Sequence, residues 1–324
     1  MTAVDESRVA PSDLVPGSEP VARSQWQLFR RRFLHHRAAM FGLIVLVVLS
    51  ILCFGADHLA FYTKDWHLFA VGAQGPSKAH WFGLDGNGYD ELTQILYAGQ
   101  LSLKIGMAVA LISTVIGTLV GALAGYYGHL WDQFLSRITD LFLIVPSLAV
   151  LAIATKKFSE TNSFLWWNFG DKAFGIYRID KDMVIIIVLA LLGWTYVART
   201  VRGQVLSLKE KEFVEAARAA GASDVRVIVR HILPNCVGVI MVNLTLSIAG
   251  AVIAESTLSF LGFGIQPPQS SWGKMLSDAE GYVGTPNVHL LYFPGLMLLL
   301  TVLAVNFLGD GLRDALDPKM KQEA

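Results

Sequence analysis

Six stretches of the chain are apolar over lengths close to the roughly 20 residues that cross a bilayer core of about 30 Å at a rise of about 1.5 Å each. Four are uncharged throughout: Ala38 to Ala56, Ile105 to Tyr127, Ile232 to Ala254 and Leu290 to Gly309. Two are shorter, Leu141 to Thr155 and Met183 to Ala198. A spanning helix there must take in Arg137 and Asp140 at one end, or Arg199 at the other, with the charged heads reaching to the interface. The pattern predicts an all-α membrane protein with six transmembrane helices. On the second stretch Gly117, Gly121 and Gly125 recur every four residues, a face that lets two helices pack closely. Arg137 and Asp140, three apart, are read as a structural pair at the interface.

Between the fourth and fifth stretches the pattern turns polar but keeps a helical period. Ser207 with Glu210 reads as a capping box that starts a helix through Phe213, Glu215, Ala216, Ala217 and Ala220, and Gly221 ends it. Ser223 can cap a second helix with apolar positions Val225, Ile228, Val229 and Ile232, until Pro234 breaks or bends the chain into the fifth span. Two short helices joined at a glycine are therefore expected at the membrane surface.

Composition agrees with the pattern: 53% of the 324 residues are apolar and 16% charged, too apolar for a soluble domain. Lys plus Arg equals Asp plus Glu at 26 each, so no charge excess points to nucleic acid, and only the distribution informs. Basic residues gather in the N-terminal arm (Arg23, Arg30, Arg31, Arg32, Arg37), in the segment after the fourth span (Arg199 through Arg230) and at the C-terminus (Arg313, Lys319, Lys321). With six spans these fall on one side, the cytoplasm, which holds both termini. The loop from Lys156 to Asp182, with Trp166, Trp167 and Phe169, mixes both signs and is the weakest point of that topology.

The expected organisation is a cytoplasmic arm over residues 1–37, disordered to about Ala22 and amphipathic from Trp26. A first span over 38–57, an extracytoplasmic loop over 58–100 and a core of five spans over 101–310 follow, with the cytoplasmic loop 199–235 inside the core and a cytoplasmic end over 311–324. Arg30, Arg31, Phe33 and Leu34 imitate a twin-arginine export signal, but the apolar run that follows is a full span without a cleavage site and precedes five more. Cys53 and Cys236 lack partners at metal-ligand spacing and read as small hydrophobes near opposite faces of the membrane.

Candidate chemistry is sparse. Gly273 and Lys274 lack the remainder of a phosphate-binding loop, and no His-Glu-x-x-His or Gly-x-Ser-x-Gly pattern occurs. No catalytic residue, metal site or cofactor of the chain's own is identified. Asn243, Ser247 and Asn306 are polar within spans and could line a route for a polar substrate, or bond between helices.

Glu215, Ala216 and Ala217, then Gly221, then Leu233 and Pro234 resemble the docking loop of bacterial ABC importer permeases. His231 stands where that family has an apolar residue, with Ile232 beside it, and the run Arg230 to Asn235 is similar to the dipeptide, oligopeptide and nickel branch. Further stretches resemble the same branch in the same order. They are Phe82, Gly83, Asp85, Gly88 and Asp90, with Tyr89 in place of the usual Arg; Gly125 to Gly128 with Pro146 beyond; Glu255 to Asp278, with Pro267 and Pro268; and Asn306, Gly309, Asp310, Arg313, Asp317 and Pro318.

The resemblance implies a type I ABC importer permease fold whose cytoplasmic loop is a coupling helix seated on an ATPase. It implies a second homologous permease subunit, two ATP-binding subunits that hold ATP and Mg, an extracytoplasmic substrate-binding protein and a peptide substrate. The loop 156–182 could contact that binding protein, form a lid or be plain lineage variation. Two rival readings are an ion-gradient-driven secondary transporter, which would show inverted repeats and ionisable groups deep in its spans, and a non-transporting membrane scaffold. The four long spans, as bounded above, hold no such groups.

Overall fold

The structure, a computed structural model, describes residues 25–68, 71–146, 148–154 and 181–316. The Pro-rich start, the aromatic loop around Trp166, and Asp317 through Lys321 lie outside the described residues.

Among the described residues five helices are long and apolar enough to cross a membrane, or six if a bent pair counts as one span. Helix α1 (Gln25–His35) carries the basic arm and leads through His36 into α2 (Arg37–Phe54), the first span. His36 caps α2 by accepting the Ala39 amide at 3.1 Å. A one-turn α3 (Ala56–Leu59) follows. Helix α4 (Glu91–Tyr127) has 37 residues, about 55 Å at the α-helical rise, and so extends well beyond a bilayer core. Asp90 caps it: one carboxylate oxygen accepts the amide and hydroxyl of Thr93 at 2.9 and 2.8 Å, and the other contacts His80 Nδ1 at 2.9 Å. Tyr89, in the place of an arginine, lies instead against the His67 ring.

The expected third span is not one helix. Helix α5 (His129–Ile144) and α6 (Leu148–Ala154) meet at 78° around Pro146, so the expected single helix from Leu141 is two pieces. Asp140 pairs with Arg199 of the next span at 2.9 Å rather than with Arg137, which corrects the expected local pair. Helix α7 (Lys181–Leu208), the short α8 (Glu212–Ala219) and α9 (Asp224–Val227) follow. A π turn (Ile228–Ile232) leads into α10 (Leu233–Phe260); beyond it come α11 (Trp272–Asp278) and α12 (His289–Leu316). Several helices outrun their apolar stretches, because capped or paired polar residues extend them past the membrane. One result is that Glu255, just beyond the expected fifth span, lies inside α10.

The bundle is held by a seam of small residues. A Cβ built on Gly117 would lie 2.6 Å from the Val197 Cβ, and one on Gly121 would lie 2.5 Å from the Ala198 carbonyl oxygen. Gly125 faces Arg202 and Val205 in the same way, so α4 and α7 touch backbone to backbone. Apolar cores lie along the seam. Ile105, Val109, Ile185, Leu189 and Leu258 pack in one, while Val197, Val201 and Val205 join Ala122 and Cys236 in another nearer the end where α4 finishes. At the opposite end Trp272 is fully buried beside Cys53 and donates its indole N–H to the Ile95 carbonyl at 3.0 Å. Helix α2 exposes Phe41, Ile44, Val48 and Ile51, as a lipid-facing helix does. His36 lies 3.3 Å from Asp314, so α2 begins where α12 ends and both ends of the described chain share one side.

Gly121→Val should cost about 1–3 kcal/mol by overpacking the seam. Gly250→Ala, where an added methyl meets nothing within 4 Å, should stabilise by up to about 1 kcal/mol. Thermal unfolding of the isolated chain in detergent checks both, and equal midpoints for the two variants would refute the seam.

Candidate functional site

The segment between α7 and α10 forms an elbow at the end of the bundle that holds both ends of the described chain. It differs in three respects from what the local sequence suggests. First, Ser207 and Glu210 form no capping box: α7 runs on through Leu208, and α8 begins at Glu212 after Lys211, with no side-chain cap. Helix α8 forms because its Ala-rich sequence favours a helix and because Glu212 and Glu215 occupy the first turn and Arg218 the last, in accord with the helix dipole.

Second, the buried face after the glycine is Val227, Ile228 and Ile232, whereas Val225 and Val229 are exposed. Ser223 takes the N-cap position but its hydroxyl makes no capping bond. Third, Pro234 does not break the chain. Residues Asp224 to Phe260 run as one 37-residue helix. The π turn, in which the Leu233 amide bonds to the Ile228 carbonyl, widens the helix where the proline ring would clash. The Asn235 side-chain amide then donates to the His231 carbonyl at 2.7 Å.

Gly221 makes the turn between the two limbs. Its φ is +81°, and the Ala222 amide reaches the Ala217 carbonyl at 3.0 Å while the Gly221 amide reaches Arg218 at 2.9 Å. This is a Schellman closure, whose left-handed residue strongly favours glycine. Nothing crowds the position, so conformation alone selects the residue.

The elbow is fixed to the bundle by burial and by one tyrosine. Val214 of α8 and Val227 and Ile232 beyond the turn are fully buried among Val197, Val201 and Val205 of α7 and Ala122 of α4, with Ala217 and Leu233 packed against them. Tyr126, in the last turn of α4, donates its hydroxyl to Asp224 at 2.7 Å, and the Arg218 guanidinium lies 5.1 Å from its ring centre. One side chain thus holds both limbs. Arg202 of α7 makes a two-point pair with Asp132 of α5, one bond being 2.7 Å. Glu215, Ala216, Gly221 and Pro234 are exposed. Tyr126, Arg218 and Asp224 were not legible as a set, because only the packing of α4 against the elbow brings them together.

The remaining candidates lie elsewhere. Asn243 is buried and donates to the Val239 carbonyl of its own helix at 2.7 Å; Ser247 is one turn along the same face, half-buried, as is Asn306 on α12. Cys53 and Cys236 are free and buried. Among the described residues no group of His, Cys, Asp and Glu side chains could hold a metal ion.

The fold has a solved counterpart: the methionine ABC transporter MetNI in inward-facing conformations contains a chain that superposes with a TM-score of 0.53, covering 69% of this chain and 96% of that one. At 18% identity the likeness speaks for the fold alone. The class, that of the membrane-spanning permeases of binding-protein-dependent importers, is given by two family models. Residues 117–322 match the family "binding-protein-dependent transport system inner membrane component", and residues 24–76 match the "N-terminal TM domain of oligopeptide transport permease C".

Among curated relatives, the oligopeptide transport system permease protein OppC of Mycobacterium bovis is 38% identical over 91% of this chain and 95% of its own length. The OppC of Escherichia coli K12 is 38% identical over 93% of both, and the glutathione transport system permease protein GsiD of E. coli O6:K15:H31 is 39% identical over 92% of both. The chain belongs to the binding-protein-dependent permease family, in its oligopeptide branch, and is a multi-pass inner-membrane protein. The readings as an ion-driven carrier and as a scaffold fall with that membership.

Tyr126→Phe removes the bond to Asp224 and should loosen the elbow by about 1 kcal/mol, the usual net worth of such a bond at a partly exposed site. The amides around 214–227 should then exchange with solvent roughly fivefold faster if opening is local. Hydrogen-exchange mass spectrometry tests this, and unchanged protection would show that burial alone holds the elbow.

Proposed function

We propose that this chain forms half of a peptide-translocating pore, and that the elbow around Gly221 is where an ATPase subunit pushes on it. The single observation that carries this reading is mechanical. The exposed limb with Glu215, Ala216 and Ala217 meets, at one left-handed glycine, a helix that continues unbroken from Asp224 to Phe260 across the membrane. Force applied to α8 enters the fifth span through packed Val214, Val227 and Ile232 and the π turn before Leu233 and Pro234, with no flexible loop between.

In this reading the elbow is cytoplasmic, and so are both termini, in keeping with the basic residues of that side. The reading keeps a cytoplasmic arm over 1–37, a first span over 38–57, an outer loop over 58–100 and a five-span core over 101–310. The partners are a second homologous permease, two ATP-binding subunits that hold the ATP and Mg, and an extracytoplasmic binding protein. The chain itself carries no catalytic site, cofactor or metal. Relatives named for oligopeptide and for glutathione transport support a peptide-like substrate. Ser247 and Asn306, half-buried, are the polar groups best placed to meet it, while Asn243 already bonds its own helix.

The test is coupling. Glu215→Arg reverses the charge presented to the ATPase, and Gly221→Val forces a branched side chain into the left-handed region at a cost of about 1–2 kcal/mol. In proteoliposomes containing the full transporter, both should leave ATP hydrolysis running while peptide uptake per ATP collapses. Wild-type uptake by both variants would sink the assignment of the elbow.

A further inference from the structure

At the end of the bundle opposite the elbow, a cavity of ≈ 470 Å³ opens between the start of α4, the loop before α11, and α11 itself. Its charged lining is Asp85, Glu91, Asp278 and Lys274. Lys274 is committed to Asp278, four residues along α11. One oxygen of Asp85 accepts the Asn87 and Tyr89 amides at 2.9 and 2.8 Å, closing its own turn. Glu91 is different. Only 2% of it is exposed, it lines the cavity, and its carboxylate makes no hydrogen bond or ion pair with the described residues.

A carboxylate buried without a partner is costly, and such groups are found paired. Like charge is close by, since Asp85 lines the same cavity and Asp90 precedes Glu91 in the chain. A cation complements the charge of this lining. The cavity is much larger than a single ion needs, and its walls include Pro267, Met275 and Leu290, which suit an apolar stem.

We propose that this cavity is a binding site for an organic cation, an ammonium or guanidinium group whose head pairs with Glu91 while its stem lies along Pro267, Met275 and Leu290. Two carriers offer this chemistry on that side of the membrane: the free amino terminus of a peptide substrate, and a lysine or arginine of a docked binding protein. The proposal rests on the transport reading only for these carriers; the site itself belongs to the folded chain.

The experiment uses the assembled transporter in lipid nanodiscs, which expose both faces, so that a wrong orientation would not abolish binding. Agmatine, an ammonium and a guanidinium on a short apolar stem, should bind in saturation-transfer NMR, and Glu91→Gln should weaken it by at least about tenfold, as expected when a buried charge loses its partner. A second measurement needs no variant: carbodiimide with glycine ethyl ester should label Glu91 in the unaltered complex, and agmatine should slow that labelling. Equal agmatine affinity in a folded Glu91→Gln protein, or labelling that agmatine does not slow, overturns the site.

Trialanine and Nα-acetyl-trialanine identify the carrier. Glu91-dependent binding of the free peptide but not the acetylated one assigns the cation to the substrate, and binding of agmatine alone assigns it to a basic side chain of the binding protein. Wild-type uptake by the Glu215 and Gly221 variants, which would sink the elbow assignment, would leave either result standing.

Discussion

The architecture depends on how closely α4 and α7 approach. Gly117, Gly121 and Gly125 remove the side chains that would keep two backbones apart, and the consequence is positional as much as energetic. With α7 drawn onto α4, Val197, Val201 and Val205 form a continuous apolar wall, and the last turn of α4 delivers Tyr126 to the base of that wall. The elbow folds onto what the seam creates. A wider spacing would open the floor beneath Val214 and Val227 and move the Tyr126 hydroxyl from Asp224, so packing in the bilayer sets the geometry of a surface outside it.

The second constraint is the proline at the base of α10. An ordinary helix would lose a hydrogen bond and clash with the preceding carbonyl at Pro234. The chain accommodates both effects within one widened turn, and Asn235 satisfies a carbonyl left beside it. A break there would have separated the elbow from the fifth span by a hinge. The π turn instead keeps Asp224 to Phe260 as one body, as the proposed coupling role requires. It also concentrates compliance at the single residue Gly221, where the backbone is left-handed and uncrowded.

Much of this was legible in the sequence, for identifiable reasons. Uncharged runs located the long spans because desolvation of charge is the strongest constraint a bilayer imposes. The glycine period announced the seam, and Gly221 announced a turn, since both depend on local residue type. What failed was whatever depends on tertiary partners. Ser207 and Glu210 fit a capping box, yet α7 continues past Ser207 because Val201 and Val205 are held in the core. Val225 and Val229 fit a helical period as well as Val227 does, but the wall of α7 selects Val227. Arg137 stands at the right spacing for Asp140, yet Arg199 on a neighbouring helix takes it. Periodicity proposes faces, and packing chooses among them.

Two buried glutamates at the end opposite the elbow show how the same side chain serves different ends. Glu255 is fully buried, but Ser259 donates to it at 2.6 Å, and Ser256 and Ser102 lie at 3.4 and 3.5 Å. Those hydroxyls are not end points: Ser259 accepts the Ile265 amide at 3.0 Å and Ser102 the Trp272 amide at 3.2 Å. Through them one carboxylate ties α4 and α10 to the loop and helix that follow, a polar network closed on itself. Glu91 sits in the same part of the molecule, on the same long helix as Ser102, bonded to no hydroxyl among the described residues and lining a cavity. A fold that supplies hydroxyls to the first carboxylate could supply them to the second. That it leaves open space there instead is what separates a group that holds the structure together from one that awaits a ligand.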